Sequence, residues 1–217
     1  MSLVEPSLKI TEIFYSLQGE SSTVGLPTVF VRLTGCPLRC NYCDTAYAFS
    51  GGERMTLTAI VDRVAGFAPR YVTVSGGEPL AQTACWPLLT QLCDQGYQVS
   101  LETSGAMSIE KIDPRVMVVM DLKTPSSTEQ SKNHYANVNF LKPADQVKFV
   151  LANREDYLWA CEQMASHQLA ERCHVLMSPS HGVLANQTLA DWIVEDNLPV
   201  RFQVQLHKYI WQEEMGR

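Results

Sequence analysis

Three cysteines fall within eight residues: Cys36, Cys40 and Cys43, in the stretch GCPLRCNYCDTAYAF over 35–49. Thiolates ligate soft and borderline metals, and the spacing C-x-x-x-C-x-x-C places three of them on one loop. Structural zinc takes four ligands in closed tetrahedral geometry, often as two C-x-x-C pairs. Here a zinc site would have to borrow a histidine remote in sequence, such as His181 or His207. A four-iron cluster also takes four cysteines, so three leave one iron open to a substrate or cofactor. The other four cysteines, Cys85, Cys93, Cys161 and Cys173, lie in apolar segments and read as buried small hydrophobes.

Strands must hold that loop. Runs at 28–33, 71–75, 98–103, 116–122, 146–151, 173–178 and 200–206 are rich in β-branched residues, and several are continuously apolar, as parallel strands covered on both faces are. Helical patterns lie between them at 57–67, 84–96, 154–168 and 186–197, with Gly96 placed as a helix stop and Asn186 as an N-cap. The polar motifs follow strand ends: the cysteine loop after the first, GGEP (76–79) after the second, ETSG (102–105) at the third, then DLK (121–123), SPSH (178–181) and QLHK (205–208). In α/β barrels that end carries the active site. Seven strands do not close an eight-stranded barrel, so the expected fold is α/β, an open or partial parallel (β/α) barrel, and one domain over 1–217.

Composition narrows the classes. With 46% hydrophobic and 18% charged residues the chain is an ordinary globular one, and its net charge of -6 argues against a broad nucleic-acid surface. No apolar run approaches the roughly 18 residues of a membrane span. The start, MSLVEPSLKITEIF, lacks a basic segment followed by an apolar core, so no signal peptide and a cytoplasmic address are expected.

C-x-x-x-C-x-x-C with Tyr42 before the third cysteine, followed by GGEP after the next strand, resembles the radical S-adenosylmethionine (SAM) enzymes. That resemblance implies a [4Fe-4S] cluster on Cys36, Cys40 and Cys43, with SAM bound at the open iron. Gly76 and Gly77 would let the backbone approach the cofactor, and Glu78 would offer a carboxylate to its ammonium. Within these enzymes, YSLQGE (15–20), VFVRLTGC (29–36), CDT (43–45), ETSG and HKY (207–209) together resemble the 7-carboxy-7-deazaguanine synthase family along nearly the whole chain.

This second resemblance implies a lyase of queuosine (7-deazapurine) biosynthesis, converting 6-carboxy-5,6,7,8-tetrahydropterin to 7-carboxy-7-deazaguanine with loss of ammonia. It implies SAM contacts at Tyr42, Cys43, Asp44, Gly77, Glu78, Ser104, Lys123 and Ser178. The pterin would meet Leu17, Gln18 and Gly19 largely through backbone, with Glu20 beside them, and Arg32, Ser75 and His207 by side chain. Thr45 would ligate Mg2+, a homodimer is implied, and the electron donor would be a small redox protein such as flavodoxin. The N-terminal segment of about 10–25 would serve the substrate and loop 35–50 the cluster. Arg32 lies in an otherwise apolar strand, where a planar fork suits a carboxylate or ring carbonyl. The chain departs from the family at Ser21 and Ser22, where Gly is common, at Ser75 for Thr, at DLK for SPK, and in its longer tail, 210–217. The nearer alternative is a glycyl-radical enzyme activase, which shares the cysteine spacing and acts on a protein partner. The distant one is a zinc-stabilised binding module.

Overall fold

The computed structural model describes residues 5–212, 214 and 216. The first four residues of the segment read for a leader, and positions 213, 215 and 217 of the tail, lie outside them. Nine strands form one sheet: β1 (Ser7–Leu17), β2 (Pro27–Leu33), β3 (Glu53–Thr56), β4 (Tyr71–Gly76), β5 (Gln98–Thr103), β6 (Met117–Asp121), β7 (Gln146–Leu151), β8 (His174–Pro179) and β9 (Arg201–Phe202). Their order is β3-β1-β2-β4-β5-β6-β7-β8-β9. From β2 to β9 every pairing is parallel, whereas β1 runs antiparallel to both β2 and β3. The sheet does not close, so the expected open barrel is the one observed.

The helices are α1 (Leu57–Ala65), α2 (Cys85–Asp94), α3 (Arg154–His167), α4 (Leu169–Arg172), α5 (Asn186–Glu195) and α6 (Leu206–Trp211). Thr56 caps α1 by accepting from Ala59 N, and Leu57, Ile60 and Val64 then fall on its buried side. Leu88, Leu89 and Leu92 of α2 and Tyr157, Ala160 and Met164 of α3 are buried likewise. They join one core with the outward row of the sheet, which includes Val29, Val31, Leu33, Val72, Val74, Val147, Phe149 and Leu151. Each such side chain withdrawn from water contributes about 1.5–3 kcal/mol. Cys85, Cys93 and Cys173 are part of this core, and Cys161 packs against it.

The opposite face of the same strands is polar. Arg32, Ser75, Glu102, Asp121 and Lys148 alternate with outward core residues, as Arg32 does between Val31 and Leu33 and Lys148 between Val147 and Phe149, so they all face inward. Because β1 is antiparallel, its carboxyl end, paired Leu17 to Pro27, reaches the amino end of the parallel strands. Residues 18–25 then cross that mouth and seal it. Ser21 N donates to Gln203 Oε1 at 2.8 Å, Gln203 Nε2 returns a bond to Ser21 O at 2.9 Å, and Ser22 N reaches Gln146 Oε1 at 3.0 Å. Ser21 has φ 69°, in the left-handed region that favours glycine, and the two bonds from Gln203 hold it there.

Three expectations are corrected. β1 and β3 were not foreseen: a register irregularity between Ile10 and Glu12 breaks the alternation of β1, and β3 is a short exposed edge. The strand expected over 200–206 ends at Phe202, and the chain turns into α6, so His207 is helical. Asn186 begins α5 rather than capping it; Ala185 is the cap residue and makes no side-chain bond.

Candidate active site at the carboxyl ends of the strands

A cavity of about 500 Å³ opens at the carboxyl ends of the parallel strands and reaches down to the seal at 18–20. Cys36, Cys40 and Cys43 line one wall. All three are free thiols, half-buried. Burial pushes the Cys36 and Cys40 thiols up, and a metal centre would supply the charge that ionises them. Zinc would need four ligands on one ion, and among the described residues no three His, Cys, Asp or Glu side chains converge that closely. A four-iron cluster asks each thiolate for a separate iron, so three thiols spread along one wall fit it.

The GGEP turn is packed onto this loop by its backbone. Gly77 N donates to Leu33 O at 3.1 Å and Glu78 N to Gly35 O at 2.8 Å. A Cβ at Gly77 would lie 2.2 Å from Gly35 O, a contact no side chain tolerates. Glu78 itself is fully buried and absent from the cavity wall. Its oxygens accept from Leu80 N at 2.9 Å, Thr103 Oγ1 at 2.9 Å, Ser104 N at 2.7 Å and Ser104 Oγ at 2.5 Å. With those lone pairs taken it cannot also receive an ammonium, so the SAM contact expected of Glu78 is corrected. It bolts the turn to the end of β5, and Ser104 reaches the wall from there.

Tyr42, Asp44, Thr45, Gly77, Ser104 and Lys123 all line the cavity. Ser178 does not. It is buried in β8 with its hydroxyl unpartnered by protein, while Ser180 and His181 occupy the wall beyond it. Thr45 donates its hydroxyl proton to Asp44 Oδ1 at 2.8 Å and makes no capping bond to the short helix that follows. Burial would raise the Asp44 carboxyl, but Lys208 Nζ at 3.0 Å, with Thr45 and Gln205, holds it well below the usual carboxylate range.

Leu17, Gln18, Gly19, Glu20, Arg32, Ser75 and His207 are also brought to this one cavity. The backbone role expected at Gln18 is corrected: its N–H is spent on Leu26 O and its carbonyl accepts from Gly25 N. Its side chain works inside instead, with Nε2 3.1 Å from Thr73 Oγ1 and 3.4 Å from Glu102 Oε1. Gly19 is a glycine because the His207 ring packs where a Cβ would be, 2.0 Å from Nδ1. Burial holds the His207 imidazole below its ordinary pKa, against the pull of Glu20 and Asp44. Arg32 gives Nε to Glu12 Oε1 at 2.7 Å, which also accepts from Tyr47 OH at 2.8 Å, so the fork's terminal nitrogens are left for a ligand.

Glu102, Asp121 and Lys208 line the wall from motifs read at strand ends but given no role there, and Lys148, also in the wall, went unread. The signal used for Arg32, a lone charge in an apolar strand, also marks Lys148 in QVKFVL. Burial pushes the Glu102 carboxyl up, with Glu20 and Asp121 adding to it against Lys148.

The Radical SAM superfamily profile matches residues 30–176. A 7-carboxy-7-deazaguanine synthase of Chlorobaculum tepidum is 45% identical over 213 residues, covering 97% of each chain. One of Koribacter versatilis is 40% identical, covering 95% of this chain and 98% of its own. The crystal structure of QueE from Escherichia coli superposes with a TM-score of 0.74 over 93% of this chain and 95% of that one, at 21% identity, a likeness of fold. By a match that runs through cysteine loop, sheet and seal alike, the chain belongs to the 7-carboxy-7-deazaguanine synthase family of the radical SAM superfamily.

Proposed function

We infer that the chain is a radical SAM lyase that converts 6-carboxy-5,6,7,8-tetrahydropterin to 7-carboxy-7-deazaguanine with loss of ammonia, in queuosine biosynthesis. The observation that carries this reading is the meeting of two sets of residues in one cavity: three thiols with the GGEP turn, and Arg32, Gln18 and Glu20. The cavity is sealed at its far end by 18–25, and about 500 Å³ suits a small bicyclic substrate better than the protein segment an activase must admit.

A reduced cluster with SAM bound to it would supply radical chemistry at the pterin carbon that bears the carboxylate. The chain's own residues hold and shield. Cys36, Cys40 and Cys43 would hold the cluster. Gly77 admits SAM to close approach, with Tyr42, Asp44, Ser104 and Lys123 around it and Glu78 fixing the turn from behind. Arg32 presents its fork to the pterin's carboxylate or ring carbonyl, and Ser75, Gln18 and Glu20 offer hydrogen bonds to its edge. A neutral His207 can donate from one nitrogen and accept at the other.

Mg2+ fits beside Thr45. The hydroxyl proton is committed to Asp44, which leaves oxygen lone pairs for a hard cation, and substrate oxygens and water would complete its shell. Membership in the family supports a homodimer, and it supports a small redox protein such as flavodoxin as electron donor. Among the described residues no helix is long and apolar enough to cross a membrane, and a cytoplasmic address agrees with that. We read 1–217 as one catalytic unit, with 10–25 serving substrate and 35–50 the cluster.

The test is anaerobic incubation of the reconstituted enzyme with SAM, reductant and the carboxy-tetrahydropterin, followed by mass spectrometry. Formation of 7-carboxy-7-deazaguanine and ammonia is expected. Cleavage of SAM with the pterin recovered unchanged would overturn the assignment.

A further inference from the structure

Lys148 has no role in the reading above, yet its ammonium lies at the centre of the cavity's charges. It stands mid-strand in β7, its side chain 10% exposed, with Nζ 2.6 Å from Glu20 Oε2 and 3.4 Å from Asp121 Oδ1. The other oxygen of Asp121 takes Lys123 Nζ at 2.6 Å. Four charges of alternating sign therefore run across the cavity: Glu20, Lys148, Asp121, Lys123. The row starts on the segment that seals the amino end of the barrel. It ends at the Lys123 ammonium, which shares the cavity wall with Cys40 and Tyr42 of the cluster loop.

Stability alone does not account for the arrangement. Burying two ammonium and two carboxylate groups costs desolvation that their mutual attraction roughly returns, and a well-packed apolar side chain at such a position is commonly as stable. What the lysine adds is geometry. Glu20 and Lys148 are 128 residues apart, and among the described residues no other ion pair ties the 18–25 segment to the strands. Its remaining anchors carry no cation: Gln18 Nε2 donates to Thr73 Oγ1 and Glu102 Oε1, Leu206 N donates to Gly19 O, and Gln203 and Gln146 hold Ser21 and Ser22 at the outer side of the seal.

We propose that Lys148 is a positioning residue of the reaction: it fixes the Glu20 carboxylate against the Asp121–Lys123 pair and so sets the substrate segment in register with the SAM side of the cavity. The proposal rests on the reading of Glu20 as facing the pterin and Lys123 as facing SAM. Substrate that engages Glu20 then acts on Lys123 through three successive contacts, the hydrogen bonds at either end and the Lys148–Asp121 ion pair between them, so each ligand tightens the other.

The experiment uses reconstituted holoenzyme. SAM affinity is measured without reductant by equilibrium dialysis, with and without the carboxy-tetrahydropterin, and KM and kcat for the pterin are measured under reduction. In the unaltered protein the pterin should tighten SAM by about fivefold or more, the lower end of ordinary coupling. Lys148→Met should abolish that tightening and raise KM for the pterin about tenfold or more, the loss expected of one charge-assisted hydrogen bond, with iron content unchanged. Lys148→Arg, which keeps the charge, should recover part of both. If Lys148→Met does not fold, the double variant Glu20→Gln/Lys148→Met removes both charges together and is measured instead, with the same loss of tightening expected. Tightening retained in the Lys148→Met or double variant, or absent from the unaltered protein while turnover proceeds, would overturn the proposal. Absence of pterin turnover in the unaltered protein would strike the assigned function beneath it.

Discussion

On the cofactor side of the cavity the three cysteines share one loop, and the turn opposite them is tied to that loop by Gly77 N to Leu33 O and Glu78 N to Gly35 O. On the substrate side the contacts that set the 18–25 segment against the barrel are remote in sequence. Glu20 meets Lys148 across 128 residues, Ser21 meets Gln203 across 182, and Gly19 accepts from Leu206 N of α6. The first half is assembled by short stretches of backbone whose geometry is fixed as soon as two strands pair. The second is assembled only when the whole barrel is in place. Substitutions in the first should therefore decide whether a cofactor is held at all, and substitutions in the second how well a substrate is fitted.

The sharpest break in that contrast is at the cysteines. Cys36→Ala, Cys40→Ala or Cys43→Ala should each abolish cluster retention and activity, whereas Cys85→Ala, Cys93→Ala and Cys173→Ala, in the apolar core, should keep full iron at some loss of stability. Iron analysis after anaerobic reconstitution decides it, and normal iron in Cys40→Ala would remove the cluster from this loop. Next in size is Gly77→Ala. Its Cβ would meet backbone at Gly35, which cannot rotate away, so the turn must lift off the cysteine loop. SAM binding should weaken by about a hundredfold or more, a loss of about 3 kcal/mol. Equal affinity for SAM would show that the turn does not shape its site.

The same contrast explains what could be read from the chain. The seven parallel strands and the cysteine, GGEP and ETSG motifs were legible because each is a contiguous signal: an apolar run, a metal spacing, a turn. β1 was hidden by its irregularity at Ile10 and Glu12 and by residues only half buried on both faces. His207 was visible as a site residue but not as a helical one, since VRFQVQL alternates as a strand does and only the bonds of Gln203 to Ser21 and of Leu206 N to Gly19 O draw the chain out of the sheet. Glu78 was misread because a carboxylate after two glycines looks available until Thr103 and Ser104 are seen to fill it. Lys148 and Asp121 gain meaning only from each other and from Glu20.

Arg32 tests the substrate half at smaller amplitude. Phe14 and Tyr47 flank its guanidinium, each ring centroid 5.8 Å away, and Glu12 takes Nε. Arg32→Lys keeps the charge and loses the fork, so KM for the pterin should rise about tenfold while SAM cleavage without substrate is unchanged. Glu12→Gln, which weakens only the orientation of the fork, should cost about threefold. Equal loss of uncoupled cleavage in either variant would place the defect in folding or in the cluster. Smaller again is Thr45→Val. It should blunt the stimulation of turnover by Mg2+, leaving iron and SAM cleavage intact, because the side chain caps nothing. Turnover indifferent to Mg2+ after chelation would dismiss the metal.

The smallest expected effect is a pH dependence of stability where α6 meets the seal. His207 packs its ring on Gly19, and burial lowers its pKa below the ordinary value near 6.5, outweighing the attraction of Glu20 and Asp44; Lys208 and Arg32 push the same way as burial. A depressed imidazole stays neutral in the folded chain while the unfolded chain takes up a proton, so the folded state loses ground as pH falls below about 6.5 and levels off beneath the folded pKa. Asp44 adds nothing in that window. Its carboxyl is held low, so its contribution is complete above about pH 4 and is lost only at lower pH. A thermal melt between pH 8 and pH 5 should therefore show a decline that His207→Gln flattens. The difference should be at most about 2–4 °C, the shift that 1 kcal/mol makes in a chain of this size. Lys208→Met removes both the partner of Asp44 and one of the charges that depress His207, so it should lower the melting temperature at pH 8 and make the decline toward pH 5 shallower. If His207→Gln left the decline unchanged, the imidazole would not be buried against Gly19 in solution, and α6 would not close on the substrate segment.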